Sequence, residues 1–406
     1  MIKTIKKSTL SGTIAATPSK SYAHRYLMAS ALSNNESTIT NVDFSDDIVA
    51  TLNCIHAYGK LANRDFKNHK VVFSKGCSKN FDPTFDCNES GSTLRIFLPI
   101  ALTKYDNATF IGSERLIERG ISIYEEIFKY ITFYKERYSI KSKGILSSGI
   151  FTLPGNVSSQ FISGLLYALP LLPKDSEIHL TTKLESRDYV YMTLDVLSQY
   201  GINITQSESS SKDDLSKPIF ITPGNQSYKA KNFSIEGDFS NAAFIDAFNY
   251  FGSNVRLTGL NKDSIQADKI YKEYFERLDE GYTTIDISNS IDLGPILITF
   301  AAMKHGARFI GTSRLKIKES DRGTAIAKEL SKCNASIDVK DNEILVENKK
   351  LCAPKENLDS HNDHRIAMSL SLLSTQFDVA IDNIDCIKKS YPSFLRDLEK
   401  LGAIIS

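Results

Sequence analysis

Two carboxylates and a recurring set of cations hold most of the chemistry in this chain. Lysine and arginine stand beside serine or threonine where a helix is due to start: Lys20, Ser21 and Arg25; Ser92, Thr93 and Arg95 after Gly91; Ser158, Ser159 and Gln160. Further on come Lys318, Glu319 and Arg322, then His364 and Arg365, then Lys389, while Arg119 adds an isolated cation. Helix N-termini expose unbonded N–H groups and carry partial positive charge, so they suit phosphate and carboxylate. Arginine adds a planar two-pronged donor and lysine a mobile point charge. The whole chain is nearly neutral, 49 Lys plus Arg against 48 Asp plus Glu, a formal charge of +1. That argues against a general nucleic-acid binder, which carries a basic excess, and leaves a local cationic pocket for a small polyanion. Taken singly, each cluster is an ordinary helix cap or a solvated charge run. Their order and recurrence carry the information.

The elements that must position these residues repeat. A β-rich run, a polar turn and an amphipathic segment begin at Thr38, Thr109, His179, Arg256, Arg308 and Val379, at intervals of 71, 70, 77, 52 and 71 residues. Each opening run alternates apolar and polar residues as a half-buried strand does. Each turn offers Ser, Asp, Asn or Gly as a helix cap. Between these copies lies a second set of helix starts, at Ser19, Ser90, Ser158, Ser240, Ser290 and Asn362. Their segments are apolar all round, which predicts interior helices. Six units of about 70 residues, three to each globular half, make an α/β protein of 406 residues, with the midpoint near Pro223–Gly237. The run 207–217 predicts an exposed loop.

Hydrophobic residues make up 41% and charged residues 24%, the balance of a folded globular chain. Six cysteines have neither C-x-x-C nor zinc-finger spacing, so no metal site is expected and a reducing cytoplasm fits better than a disulfide scaffold. The start MIKTIKKSTLSG has no apolar signal region, and the longest apolar stretch, 161–173, is too short to span a bilayer.

The ordered set Ser19-Lys20-Ser21-x-x-x-Arg25, Ser90-Gly91-Ser92-Thr93-x-Arg95, Val157-Ser158-Ser159-Gln160, Glu236-Gly237-Asp238, Lys318-Glu319-Ser320-Asp321-Arg322 and Asn362-Asp363-His364-Arg365 resembles the 5-enolpyruvylshikimate-3-phosphate (EPSP) synthase family, 3-phosphoshikimate 1-carboxyvinyltransferases. The likeness runs from about residue 4 to the C-terminus. It implies an α/β, two-domain enolpyruvyl-transferase fold of six βαβαββ units, three per domain, each domain an inside-out α/β barrel. One domain would be 18–236 and the other 1–17 plus 237–406, with the active site in the cleft between them; like-charged faces on the two halves, bridged by a polyanion, predict closure on ligand binding. It implies transfer of the enolpyruvyl group of phosphoenolpyruvate to the 5-hydroxyl of shikimate 3-phosphate, on the route to chorismate and the aromatic amino acids. No cofactor, metal, membrane or nucleic acid is implied, and the family suggests a cytoplasmic monomer.

Residue by residue, the resemblance implies that Asp292 and Glu319 are the catalytic carboxylates, with Lys20 facing both substrates. Ser21, Arg25, Ser158, Ser159, Gln160, Ser186, Tyr189, Asp292 and Lys318 would hold shikimate 3-phosphate along with Lys20. Gly91, Arg119, Gln160, Arg322, Arg365 and Lys389 would join Lys20 around phosphoenolpyruvate. The family's glycine at the position of Gly91 borders the space used by the inhibitor glyphosate. Three residues depart from the pattern: Glu89 where Asn is usual, Thr17 where Gly is usual, and Arg314 where many members have an Asn on the shikimate ligand. A UDP-N-acetylglucosamine enolpyruvyl transferase would show Lys-Asn at the first motif and a cysteine-bearing loop around Arg119; neither is present. A non-catalytic anion-binding module would not need both Asp292 and Glu319.

Overall fold

The computed structural model describes residues 1–78, 82–207 and 217–406, so the run 207–217 lies almost wholly outside the described residues. The chain divides into two compact units, a continuous one, Lys20–Ile235, and a two-segment one, Met1–Ser19 with Glu236–Ser406. Each encloses its own apolar core.

The continuous unit carries three four-stranded sheets of one pattern. Ile150–Leu153 runs parallel to Ser176–Leu180, which pairs antiparallel with Ile219–Thr222, whose other neighbour is Thr205–Ser207. The same order recurs in Thr84–Asp86, Asn107–Ile111, Ser139–Lys143 and Thr132–Glu136. It recurs again in Phe233–Ser234, Ser37–Thr40, Lys70–Phe73 and Ala62–Asp65. In that last sheet the parallel partner comes from the far end of the unit, so the repeat closes on itself. The helices are α1 (Lys20–Leu32), α2 (Asp46–Ala57), α3 (Gly91–Leu102), α4 (Glu114–Arg119), α5 (Ser122–Ile127), α6 (Ser159–Ala168) and α7 (Arg187–Gln199). As the all-round apolar pattern predicts, α3 and α6 are buried along nearly their whole length. They pack so closely that a Cβ on Gly164 would lie 2.5 Å from the Arg95 carbonyl oxygen and 2.9 Å from Pro99 Cγ.

The two-segment unit holds α8 (Phe239–Asp246), α9 (Tyr271–Glu280), α10 (Gly294–Met303), α11 (Arg322–Ser331), α12 (His364–Ser371) and α13 (Phe394–Lys400). One sheet keeps the four-strand order, through Thr283–Asp286, Ala307–Ile310, Glu343–Val346 and Ile337–Val339. The other two are abbreviated and borrow from the first residues of the chain. Lys3–Ile5 pairs with Val379–Asp382 beside Leu358–Asp359, and Ser11–Ala15 runs parallel to Asn254–Thr258. The short interval of 52 residues is thereby explained: no hairpin intervenes between α9 and the strand Thr283–Asp286. Pro18 and Gly237 bridge antiparallel, flanked by hydrogen bonds from Ser19 N–H to the Glu236 carbonyl (2.8 Å) and from Asp238 N–H to the Thr17 carbonyl (2.7 Å). Among the described residues no helix is long and apolar enough to cross a membrane.

Candidate active site

The cationic clusters of the sequence fall at helix starts, and capping side chains set several of them. Ser90 accepts from Thr93 N–H at the start of α3, Ser158 from Gln160 N–H at α6, Asp321 from Thr324 N–H at α11, and Asp363 from Arg365 N–H at α12. Each cap satisfies one unbonded amide and turns the remaining first-turn groups outward.

In the continuous unit, Lys20 is the first residue of α1 and its Nζ lies 2.7 Å from Asp47 Oδ2, in the first turn of α2. Arg25, one turn further along α1, is 4% exposed and spends its donors on the scaffold. Its Nε donates to Thr193 Oγ1 (2.9 Å), Nη1 to the Ser21 carbonyl (2.8 Å) and Nη2 to the Tyr189 carbonyl (2.8 Å). Arg25 thus braces α1 against α7 and brings Ser21 and Tyr189 together, a structural duty that the expectation of a simple substrate ligand did not contain. Ser186 precedes α7 in the left-handed region, φ 49°, and is buried.

A second group gathers round the start of α3. Gln160 Oε1 accepts from Arg95 Nη1 (2.9 Å) and its Nε2 donates to Ser92 Oγ (2.9 Å). Arg95 also donates to the carbonyls of Arg119 (3.0 Å) and Gly120 (3.2 Å), fixing the end of α4, where Gly120 turns out at φ 62°. Gly91 is the first residue of α3 and is not left-handed. A Cβ there would stand 3.0 Å from Arg119 Nη2 and 3.4 Å from both Arg95 Nη1 and Gln160 Oε1. The glycine therefore makes room for three polar side-chain tips. Glu89, one of the three departures, is half-buried in the turn before α3.

In the two-segment unit one guanidinium is the hub. Arg322, first residue of α11 and 1% exposed, donates through Nη1 to Asp292 Oδ1 (2.7 Å), through Nη2 to Glu319 Oε2 (2.7 Å) and through Nε to Asp363 Oδ2 (2.8 Å). Lys318 Nζ lies 3.0 Å from Asp292 Oδ1, and Arg365 Nη2 lies 3.5 Å from Asp292 Oδ2. Ser320 adds its hydroxyl to Asp363 at 3.1 Å. Lys389 reaches the same turn by donating to the Asn362 carbonyl at 2.5 Å. Asn362 and His361 both adopt left-handed φ, 54° and 52°, which aims that carbonyl. Arg314 is buried and donates to the Ser288 carbonyl, in the loop that leads to Asp292.

These contacts set the protonation states. Burial pushes the Asp292 carboxyl up, but Arg365, Lys318 and Arg322 outweigh it and hold it well below the usual carboxylate range. Burial lowers Lys318. Arg322 is raised despite burial, because Asp363, Glu319 and Asp292 surround it. Burial pushes nearby Asp268 up to about 6. The arrangement offers an ionised carboxylate, a second carboxylate on the same guanidinium, and cations able to take a ligand's phosphate or carboxylate in exchange. No group of three or more His, Cys, Asp or Glu suited to a metal ion occurs among the described residues.

Two site features escaped the sequence reading. Asp47 was not singled out, although the Asp46–Asp47 pair at a helix start was a visible signal. The buried role of Asp363 was hidden inside the Asn-Asp-His-Arg run, where it read as a cap.

The fold is that of the enolpyruvyl transferases. An EPSP synthase from Acinetobacter baumannii superposes with a TM-score of 0.75 at 20% identity, over 100% of this chain and 99% of that one. The enolpyruvyl transferase NikO from Streptomyces tendae gives 0.74 at 16% identity, over 100% and 98%. The family is narrower. The model for EPSP synthase, 3-phosphoshikimate 1-carboxyvinyltransferase, matches residues 5–398, and the chain belongs to that family. A 3-phosphoshikimate 1-carboxyvinyltransferase from Clostridium perfringens strain ATCC 13124 is 40% identical, over 99% of this chain and 98% of the relative. One from Clostridioides difficile strain 630 is 37% identical, over 99% and 97%.

Proposed function

We infer that the protein transfers the enolpyruvyl group of phosphoenolpyruvate to the 5-hydroxyl of shikimate 3-phosphate and releases phosphate. Family membership sets the reaction. The observation that carries the assignment of residues is the pair Asp292 and Glu319 on the single guanidinium of Arg322.

The chemistry needs two proton movements. The vinyl carbon of phosphoenolpyruvate gains a proton while the acceptor hydroxyl loses one and attacks the adjacent carbon. In the tetrahedral intermediate that results, the C–O bond to phosphate breaks as a proton leaves the new methyl group. Asp292, Glu319 and Lys20 are the proposed proton carriers, since a carboxylate pair holds a proton in turn. Lys20, Ser21, Ser158, Ser159, Gln160, Ser186, Tyr189, Asp292 and Lys318 are the proposed ring of contacts for shikimate 3-phosphate, with Arg25 bracing it. Lys20, Gly91, Arg119, Gln160, Arg322, Arg365 and Lys389 are proposed for phosphoenolpyruvate. Asp292 is ionised and so can begin as base toward the 5-hydroxyl, but a carboxylate held that low by Arg365, Lys318 and Arg322 is a weak base until those cations are drawn off. Bound anions would draw Arg365 and Lys318 toward themselves and raise the Asp292 pKa for its return stroke.

The test is phosphate release from phosphoenolpyruvate with shikimate 3-phosphate as acceptor, beside UDP-N-acetylglucosamine. Release with the first alone is expected. Release with the second alone, or with neither, would overturn the reading.

A further inference from the structure

Beneath Lys20 lies a file of buried polar side chains, of which only Ser90, the cap of α3, has been given a role above. Helices α1 and α2 are joined by two rungs of equal spacing: Lys20 to Asp47, and one turn deeper His24 to Thr51, with Nδ1 and Oγ1 2.8 Å apart. Thr51 Oγ1 continues to Thr93 Oγ1 of α3 at 2.7 Å. Thr93 in turn donates to Ser90 Oγ at 2.8 Å and leans toward the Asp47 carbonyl at 3.4 Å. His24 and Ser90 are 1% exposed, Thr51 and Thr93 0%. The file thus begins one turn below Lys20, touches the backbone of its partner Asp47, and ends at the cap immediately before Gly91.

The hydrogens in this file run one way. Thr93 spends its one hydroxyl hydrogen on Ser90 Oγ, with the Asp47 carbonyl a more distant second acceptor of the same hydrogen, and so takes its own hydrogen bond from the Thr51 hydroxyl. Thr51, having one hydrogen, must then accept from His24. His24 therefore carries its proton on Nδ1 and keeps a lone pair on Nε2, which has no hydrogen-bond partner among the described residues. Burial, then Lys20, then Arg25 lower its pKa and keep it neutral.

We propose that His24, Thr51, Thr93 and Ser90 form a positioning relay that fixes the Lys20–Asp47 pair relative to the Gly91 turn. The four residues act through Lys20 and Gly91, and the proposal rests on the functional reading given above for those two. Helices α1 and α2 of one repeat unit meet α3 of the next here, and apolar packing alone leaves sliding along a helix axis cheap. A directional file of hydrogen bonds does not, because a shift at one helix breaks bonds that water cannot replace. Because it ends at Gly91, the relay weighs most on the phosphoenolpyruvate contacts and reaches shikimate 3-phosphate only through Lys20.

Two measurements on the full chain test it. The first is nitrogen NMR of protein labelled at histidine, with the His24 signal assigned by its loss in His24→Gln. A neutral ring protonated on Nδ1, without titration between about pH 5.5 and 8, is expected; a ring protonated on Nε2 would overturn the relay. The second is steady-state kinetics of Thr51→Val and Thr93→Val, which keep shape and remove a hydroxyl. The KM for phosphoenolpyruvate should rise about five- to tenfold, with that for shikimate 3-phosphate, which Lys20 shares with many other contacts, rising clearly less, and with recovery in Thr51→Ser. Unchanged constants, or equal rises in both KM values that Thr51→Ser does not relieve, would overturn it. If the unmodified protein releases no phosphate, the functional reading fails, while the tautomer still decides the relay.

Discussion

In the continuous unit the groups proposed to meet a ligand stand at helix starts: Ser21, Ser158, Ser159 and Gln160 among serine-capped turns, with Lys20 paired to Asp47. In the two-segment unit Arg322, Lys318 and Arg365 are already engaged with carboxylates, Asp292, Glu319 and Asp363, within 3.5 Å. A buried ion-pair network of the second kind repays its desolvation only when every member is partnered. Helix N-terminal amides and hydroxyls need no such balance. On the proposed reading, the first half receives negative charge and the second holds it and passes protons. The two halves should therefore respond differently to the same kind of damage.

Removal of a titrating group in the two-segment unit is expected to have the largest effect. Asp292→Asn and Glu319→Gln keep shape, and turnover should fall by about two powers of ten or more. Binding of shikimate 3-phosphate, followed by calorimetry, should change far less; near-normal turnover would remove that carboxylate from the mechanism. Next comes the hub itself. Arg322→Met leaves Asp363 and Asp292 without their shared donor, and stability to denaturant should fall by about 3–5 kcal/mol. The corresponding loss in the continuous unit, Lys20→Met, should cost clearly less stability, because the Lys20 and Asp47 side chains keep 16% and 11% exposure while Arg322 and Asp363 keep 1% and 0%. Comparable losses at the two sites would erase the contrast.

Gly91→Ala sharpens the comparison from the other side. The added methyl presses on the tips of Arg119, Arg95 and Gln160, which yield by a few tenths of an ångström. Because Gly91 is not left-handed, the melting temperature should hardly move. The inhibition constant for glyphosate should rise well beyond the KM for phosphoenolpyruvate. Equal changes, with a lowered melting temperature, would mean that the glycine serves the backbone instead.

The smallest effect concerns pH. Asp268, raised to about 6 by burial, stays protonated in the folded chain while its unfolded counterpart ionises near 3.8. The unfolded state thus binds fewer protons between these values, and stability falls as pH rises from about 4 to 6. Asp268→Asn should flatten that decline, read from urea midpoints at the two pH values, whereas His24→Gln in the continuous unit should steepen it, because a histidine kept neutral by burial leaves the unfolded state holding the extra proton in this range.

The repeat was the most legible part of the molecule. All six strand-turn-helix copies are present, from Ser37–Thr40 with α2 to Val379–Asp382 with α13, because period-2 and period-3.6 patterns report local burial directly. The apolar helix starts were equally plain: α1, α3, α6, α8, α10 and α12 all lie inside. What stayed hidden was pairing across distance. Nothing local in Asp47 says that Lys20 is its partner, and nothing in Thr51 or Thr93 distinguishes a buried relay from ordinary helix threonines. The abbreviated sheets were hidden too, since they draw strands from hundreds of residues away. Only the interval of 52 hinted at them.

That borrowing has a consequence for how the chain comes off the ribosome. Residues Lys3–Ile5 wait for Val379–Ile381, and Thr4 exchanges both of its backbone hydrogen bonds with Ser406. Synthesis proceeds at about 5–20 residues per second, so the first strand spends on the order of tens of seconds with bare edges. Meanwhile Lys20–Ile235 emerges complete and can fold behind it. The continuous unit is born finished, while the other begins first and closes last, and its leading strands are the part of the nascent chain most exposed to mispairing.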